Sequence, residues 1–291
     1  MTTDLPQHPA SPSASVSVSC EFFPPQTDEG LQKLLAAREA LSALAPEYFS
    51  VTYGAGGTTR ERTFEAVHRI AATGAEAAPH LTCVGSTRAG IAGILDDYRA
   101  HGIRRLVALR GDIPSGMREI GEFRYASELV AFVREHAGRH FRIEVAAYPE
   151  YHPQAASPER DLDAFVHKVA AGADAAITQY FYNADAYFRF VDTVRARGVT
   201  IPVVPGIMPI TNYAQLARFS DACGAEIPRW IRRKLEAFGE DRDSIRAFGL
   251  DVVAAMCERL LAQGAPGLHF YTMNLAGPTL AIAERLGLSA R

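Results

Sequence analysis

The sequence of 291 residues is poor in cysteine, nearly balanced in charge and without a hydrophobic run long enough to span a membrane. Its four cysteines, Cys20, Cys83, Cys223 and Cys257, form no C-x-x-C pair, which predicts reduced and mostly buried thiols in a cytoplasmic protein. A net charge of -3 lacks the basic excess of a general nucleic-acid binder. These absences argue against nucleic-acid and membrane partners.

The first 15 residues are rich in Pro, Ser and Thr and contain no basic residue followed by an apolar stretch. They fit neither a signal peptide nor an Arg-rich transit peptide, and we predict a disordered tail over residues 1–15. Residues 16–291 contain no interdomain linker, and their length suits one catalytic domain with a large core.

Short apolar runs alternate with amphipathic stretches from residue 16 onward. Eight runs rich in Val, Ile, Leu, Phe and Tyr predict strands buried on both faces, at 16–21, 48–52, 80–84, 105–109, 143–147, 176–179, 203–205 and 268–270. Helical spacing between them predicts helices, among them 27–45, 125–136, 157–171, 184–197, 212–222, 243–262 and 279–286.

This alternation predicts an α/β fold, a single (β/α)8 TIM barrel with a short extra helix, 228–238, before the last strand. The alternative is an open doubly wound sheet, which usually has fewer strands and a Gly-rich first turn. The Arg-Arg-Lys run at 232–234 is interpreted as a solvated helix face.

In such a barrel the catalytic groups lie at the carboxyl ends of the strands. Glu21 ends the first predicted strand and is followed by two phenylalanines and two prolines. Burial among aromatic rings favours the neutral form of a carboxyl group, which suits a general acid near neutral pH. The local sequence favours the alternative, an ion pair with an Arg or Lys at the barrel rim.

Other strand ends carry polar residues that have an ordinary explanation as well as a functional one. Asp112 could face a ligand past Gly111 or pair with Arg110. His80 could be a buried core histidine, and we reject a metal site there because no second ligand is near. Gln179 could bind an amide-bearing heterocycle or cap a loop.

Three further features also have both a functional and an ordinary interpretation. The Gly-rich run at 54–57 could hold a phosphate, but it lacks the known phosphate-binding fingerprints and is better interpreted as a mobile turn. Asp161, His167 and Lys168 share roughly one helix face, which could equally be a charged exterior. Phe219 alone is most simply a core aromatic.

Taken together, eight segments in order resemble the methylenetetrahydrofolate reductase family, in its short bacterial form, over nearly the whole chain. The segments are Cys20-Glu21-Phe22-Phe23-Pro24-Pro25, Val51-Thr52-Tyr53-Gly54-Ala55-Gly56-Gly57 with Thr59-Arg60-Glu61-Arg62-Thr63, Pro79-His80-Leu81-Thr82-Cys83, Leu109-Arg110-Gly111-Asp112, Ala147-Tyr148-Pro149-Glu150 with His152-Pro153, Ala171-Gly172-Ala173-Asp174 before Ile177-Thr178-Gln179, Val204-Pro205-Gly206-Ile207-Met208-Pro209, and Phe270-Tyr271-Thr272-Met273-Asn274.

The resemblance implies reduction of 5,10-methylenetetrahydrofolate to 5-methyltetrahydrofolate in one-carbon and methionine metabolism. NADH or NADPH would reduce bound FAD and leave, and the folate would then bind over the flavin. Glu21 would be the general acid that protonates the folate N10, while Asp112 would bind the pterin and hold a negative charge near the flavin. The resemblance also implies a homo-oligomer.

Further residues take their expected roles from the resemblance alone. The expected substrate-binding residues, beside Asp112, are Gln179, Gln215 and Phe219. The expected FAD-binding residues are Thr52, Tyr53, His80, Arg110, Gly111, Asp112, Tyr125, Ala126, Tyr148, His152, Asp161 and Lys168.

The chain departs from the family pattern at Ala164 and His167, where an Asn and an Arg are frequent, and at Leu275, where an Arg suited to the folate is frequent. Two alternatives remain, of which the departures favour only the second. One is another flavin-linked barrel oxidoreductase similar to proline dehydrogenase, and the other is a folate- or flavin-binding barrel without turnover.

Overall fold

The computed structural model describes residues 16–53, 60–112 and 121–288. The predicted N-terminal tail, the Gly-rich run at 54–57 and most of the loop after Asp112 lie outside these residues. The helices described here include none with the length and apolarity that a membrane crossing requires.

Parallel strands form one ladder around a barrel axis, in the order β7-β6-β5-β4-β3-β2-β1-β9-β8. The strands are β1 (Ser17–Phe22), β2 (Tyr48–Val51), β3 (Ala77–Thr82), β4 (Arg105–Leu109), β5 (Arg142–Ala147), β6 (Ala175–Thr178), β7 (Val203–Val204), β8 (Gly206–Ile207) and β9 (Gly267–Tyr271). The predicted (β/α)8 barrel is confirmed, and each predicted strand overlaps an observed one.

Helices follow the strands and cover the outside of the barrel. They are α1 (Asp28–Leu41), α2 (Arg60–Ala71), α3 (Arg88–Ala100), α4 (Ala126–Ala137), α5 (Pro158–Ala170), α6 (Ala184–Ala196), α7 (Tyr213–Cys223), α8 (Arg229–Phe238), α9 (Arg242–Ala262) and α10 (Ala276–Arg285). The predicted extra helix is α8. It presents Arg233 and Lys234 to solvent, as expected of a solvated face.

The seventh predicted strand is divided into β7 and β8 at Pro205, so that the ladder has nine segments. Proline has no N–H to donate to a neighbouring strand, but its carbonyl accepts a 3.0 Å hydrogen bond from the His269 N–H. Beyond it, the Gly206 N–H donates to the Thr178 hydroxyl at 2.9 Å. A Cβ at Gly206 would lie 2.2 Å from the Thr178 carbonyl oxygen, so this close approach requires glycine.

The alternation of side chains along β1 separates two environments. Val18, Cys20 and Phe22 point outward into the main core between strands and helices. Ser19 and Glu21 occupy the alternate positions and face the barrel interior. A small apolar layer fills the middle of that interior and consists of Tyr48, Ala78, Val107 and Ile177.

A buried ion-pair network closes the opposite, amino-terminal end of the barrel. One Arg105 nitrogen lies 2.6 Å from Glu144, and the other lies 2.6 Å from Glu47. The Arg105 guanidinium also stacks 4.2 Å from the centre of the Tyr48 ring. Because Glu144 is only 1% exposed, this network acts as a polar plug beneath the apolar layer.

Candidate active site

Glu21 lies at the carboxyl end of β1, inside the barrel mouth and only 8% exposed. Its Oε2 lies 3.2 Å from Nε2 of His80, on β3, and 3.5 Å from Nε2 of His269, on β9. The His80 contact is close without the alignment of a hydrogen bond. Glu21 is therefore paired with two imidazoles, and the predicted pairing with an Arg or Lys at the rim is wrong.

His269 links Glu21 to a hydroxyl on the same strand as Glu21. The Ser19 Oγ lies 2.8 Å from Nδ1 of His269, whose ring is fully buried. A carboxylate only accepts hydrogen bonds, so the proton on Nε2 faces Glu21, while the second hydrogen bond joins Nδ1 to the Ser19 hydroxyl, with the donor set by the protonation of the ring. Ser19 thus fixes the orientation of the imidazole that faces Glu21.

The pKa of Glu21 moves in the direction opposite to the one predicted from its aromatic neighbours. Burial raises the pKa of this carboxyl group, but the charge of the nearby His80 and the hydrogen bond and charge of His269 outweigh burial and lower it to about 2. The sequence argument considered burial alone. Glu21 is accordingly ionised between these imidazoles, and its neutral form requires a proton delivered from its surroundings.

The loop after β9 holds the end of β1 in place. The Thr272 hydroxyl donates to the Glu21 carbonyl oxygen at 2.6 Å. Asn274 brackets the Phe23 peptide, since its Oδ1 accepts from the Phe23 N–H at 2.8 Å and its Nδ2 donates to the Phe23 carbonyl at 3.0 Å. These contacts fix the backbone on both sides of the Glu21 side chain.

A second polar cluster lies beyond the ends of β4 and β5. The Arg110 guanidinium donates to the Gln154 side chain at 2.5 Å, and no Arg110–Asp112 ion pair occurs among the described residues. Asp112 is exposed. Burial raises the pKa of the Tyr148 hydroxyl, and the charges of Asp161 and Asp112 raise it further. Gly111 has φ +85 and its backbone packs against Thr82 and Val84, so the protein itself requires this glycine.

Helix α5 adds a cation and an anion to this second cluster. The Asp161 carboxylate accepts from the His152 N–H at 2.9 Å, and the Lys168 ammonium donates to the Ala146 carbonyl at 2.5 Å. Burial lowers the pKa of Lys168 to about 8, although Asp161 opposes the shift. His167 is exposed, so the proposed common face holds for Asp161 and Lys168 only.

Helix α7 and the end of β6 form the third part of the mouth. Gln215 and Phe219 are one helical turn apart on α7 and share a face. Phe219 is 37% exposed, so it is not the core aromatic that its spacing alone favoured. The Gln179 side-chain oxygen accepts from the Tyr180 N–H at 3.0 Å, which is the capping contact considered above.

The remaining predicted residues lie at other points of the rim. Thr52 and Tyr53 follow β2, and the pKa of Tyr53 is raised by burial and lowered by the nearby Arg60. Tyr125 is 60% exposed at the start of α4, immediately before Ala126. The rim therefore carries the predicted side chains, but in several groups and not in one contact network.

Comparison with known proteins decides the family. The family model for methylenetetrahydrofolate reductase matches residues 5–287. A 5,10-methylenetetrahydrofolate reductase of Salmonella typhimurium is 41% identical over 287 residues, which are 98% of this chain and 95% of that protein. The chain belongs to the methylenetetrahydrofolate reductase family. A probable methylenetetrahydrofolate reductase (NADH) of Oryza sativa is 39% identical over 93% of this chain, but over only 48% of its own length.

Solved structures share the barrel at much lower identity. An uncharacterized protein from Clostridium thermocellum, which binds two copies of 5-methyl-5,6,7,8-tetrahydrofolic acid, covers 93% of this chain and 94% of its own, with a TM-score of 0.66 and 14% identity. A dihydropteroate synthase from Xanthomonas albilineans has a TM-score of 0.50 at 12% identity over 94% of this chain and 93% of its own. At such identities these likenesses support the TIM-barrel fold of this methylenetetrahydrofolate reductase family member and nothing further.

Two side chains beside Glu21 were missed by the sequence reasoning on this family member, namely Ser19 and His269. The signal that could have found Ser19 is the period of two along a strand, which puts it on the same face as Glu21. The same period puts His269 on the inward face with Tyr271. What the period cannot supply is the pairing of β1 with β9, because about 250 residues separate these strands in the sequence.

Proposed function

We propose that this chain reduces 5,10-methylenetetrahydrofolate to 5-methyltetrahydrofolate with NADH or NADPH, through bound FAD. Membership of the methylenetetrahydrofolate reductase family supports the reaction class. The observation that carries the chemistry is the buried carboxyl group of Glu21 between two imidazoles at the mouth of the barrel. It is an acid in contact with its own proton source, placed where barrel enzymes bind substrates.

Glu21 donates the proton that the folate N10 needs when its five-membered ring opens. Since the lowered pKa keeps Glu21 anionic, a proton must reach its carboxylate before or during substrate binding. His80 and His269 are the titratable side chains in contact with it. An imidazole N–H can donate a proton to a carboxylate this close, so the cluster can deliver the proton that Glu21 passes to the substrate.

The second polar cluster suits the diphosphate and ring edges of FAD. Lys168 and Arg110 supply cationic donors, which phosphate oxygens prefer, and His152 adds a third nitrogen group. Burial has lowered the pKa of Lys168, and a bound anion would compensate this cost. FAD, when bound, accepts a hydride from the nicotinamide and transfers it to the folate. Tyr148 and Asp112 would then face the flavin from one side of the mouth.

The other expected cofactor contacts are Thr52, Tyr53, His80, Gly111, Tyr125, Ala126 and Asp161. The substrate contacts are Asp112, Gln179, Gln215 and Phe219. Phe219 presents an exposed ring from α7, as a residue that stacks on either the nicotinamide or the folate would. Gln179 retains its amide N–H groups for a pterin or a nicotinamide, since its recorded contact uses only the oxygen.

The protein is further proposed to act in the cytoplasm as a homo-oligomer, on the basis of its family and its four free cysteines. Light scattering after size-exclusion chromatography tests the oligomer directly. The name of the rice relative supports NADH, but we retain both nicotinamide cofactors. Initial rates with NADH and with NADPH at equal concentration distinguish them.

The deciding experiment is an anaerobic absorbance titration of the protein supplied with FAD. NADH is added first and methylenetetrahydrofolate second. We expect the flavin band to bleach with NADH and to return with the folate, which establishes both half-reactions. In a parallel sample that receives proline in place of NADH, flavin bleaching that the folate does not reverse would favour a dehydrogenase similar to proline dehydrogenase. A flavin band unaffected by either nicotinamide would favour a barrel that binds without turnover.

A further inference from the structure

A cavity of about 610 Å³ lies beside the barrel mouth and is separate from the Glu21 cluster. Its walls come from the loop after β8, from the first turns of α9, and from Leu275 with the first two turns of α10. This volume is in the range that protein pockets for small organic ligands occupy. The side chains assigned above to FAD and to catalysis do not line it, so those assignments do not account for this cavity.

The cavity combines an apolar wall with two guanidinium groups. Ile210, Leu275 and Pro278 contribute apolar surface, and Arg242 and Arg246 lie one turn apart on α9. Over the described part of the chain, Arg242 has no ion-pair partner, and the Arg246 pair with Asp243 is long, at 3.8 Å. Both guanidinium groups are thus available to an incoming anion. An aromatic or aliphatic ligand that ends in carboxylates matches this surface.

The loop after β9 connects the catalytic cluster to the cavity. Glu21 is in register with Tyr271 across the β1–β9 pair, and Leu275 follows four residues later. Between them, Asn274 is fastened to the Phe23 peptide beside Glu21. A ligand whose reactive end contacts Glu21 therefore has Leu275 and the cavity on one side of its path out of the mouth.

We propose that Arg242 and Arg246 bind the glutamate carboxylates of the folate substrate, while Leu275 and Ile210 pack against its aminobenzoyl ring. The proposal rests on the proposed function, and it assigns the aminobenzoylglutamate arm of that substrate to this cavity. The two arginines on α9 then supply the positive charge for the glutamate carboxylates. Leu275, which is apolar and 52% exposed, cannot supply it.

The test pairs a change in the protein with a change in the ligand. The double variant Arg242→Gln/Arg246→Gln is assayed with methylenetetrahydrofolate and with methylenetetrahydropteroate, which lacks the glutamate. We expect kcat/KM for the folate to fall roughly 10- to 100-fold, as for lost charged hydrogen bonds, and that for the pteroate to stay unchanged. FAD reduction by NADH should also stay unchanged. A double variant that kept the wild-type ratio of folate to pteroate kcat/KM would overturn the proposal.

The matched control is Arg99→Gln on α3, because Arg99 also forms an i,i+3 pair with an aspartate and is similarly exposed. It should leave both substrates unaffected. Binding of p-aminobenzoyl-L-glutamate by calorimetry separates this proposal from the proposed function. If the wild type binds p-aminobenzoyl-L-glutamate and the double variant does not, the cavity assignment is supported even if folate turnover fails. Equal binding by both proteins, or binding by neither, overturns it.

Discussion

Nε2 of His80 lies 3.2 Å from Oε2 of Glu21, although the strands that carry them, β3 and β1, are separated in the ladder by β2. The contact therefore crosses the barrel interior. His269 approaches the same oxygen from β9, on the other side of β1. The carboxyl group is thus surrounded by imidazoles that lie about 60 and 250 residues away in the sequence.

Replacing Glu21 by Gln should separate the two half-reactions. The amide has nearly the same shape but holds no transferable proton, so bleaching of FAD by NADH should stay near the wild-type rate. Reoxidation by methylenetetrahydrofolate should fall by at least about 10²-fold. Stopped-flow absorbance at the flavin band measures each step. Folate turnover close to wild type would refute the general-acid role of Glu21.

Replacing His269 by Gln should slow the folate step and move its pH profile. The wild-type imidazole lowers the pKa of Glu21 through its charge and hydrogen bond, so its removal raises that pKa. The limb at which activity is lost by deprotonation of the acid should therefore shift to higher pH. Ser19→Ala is the milder control, because it keeps the ring and removes only the 2.8 Å contact that orients it. An unchanged pH profile in His269→Gln would show that His269 does not influence the proton on Glu21.

FAD affinity should decrease as the pH rises through about 8. Burial lowers the pKa of Lys168 to about 8, and a bound diphosphate favours the charged form. Below pH 8 the ammonium is already charged, whereas above it binding must include uptake of a proton. Flavin fluorescence titrations between pH 7 and pH 9.5, run on wild type and on Lys168→Gln, measure the effect. The same pH dependence in the variant would show that another group is responsible.

The stability of the barrel should depend strongly on Arg105. Replacement by Leu leaves Glu144, which is 1% exposed, as a buried charge whose remaining ion-pair partner within the described ranges is Arg142, at 3.3 Å. Loss of one partner of a buried pair costs about 3–5 kcal/mol in the free energy of unfolding. Urea denaturation measures this loss. The control Arg99→Leu removes an exposed pair and should change the free energy of unfolding by less than about 1 kcal/mol. Equal midpoints for the two variants would contradict the role of the plug.

Strand and helix positions were predictable because alternation and helical spacing are local properties of the sequence. The division of the seventh strand at Pro205 could also have been anticipated, since proline interrupts a ladder. The partners of Glu21 could not, because they depend on which distant strands become neighbours. For the same reason the predicted direction of the Glu21 pKa shift was wrong. Burial among the aromatic residues at positions 22 and 23 is visible in the sequence, whereas two imidazoles across the barrel are not.

The interruption at Pro205 also affects how the barrel avoids aggregation. A sheet that ends in free strands exposes unpaired backbone groups to which other chains can add. Here the two ends of the ladder, β7 and β8, are consecutive segments on either side of one residue. The Tyr271 hydroxyl on β9 donates to the Thr178 carbonyl on β6 at 2.8 Å, and so links the two strands that flank the divided one. The edges of the sheet therefore shield one another, and a single proline divides the seventh strand without leaving a template for intermolecular β-pairing.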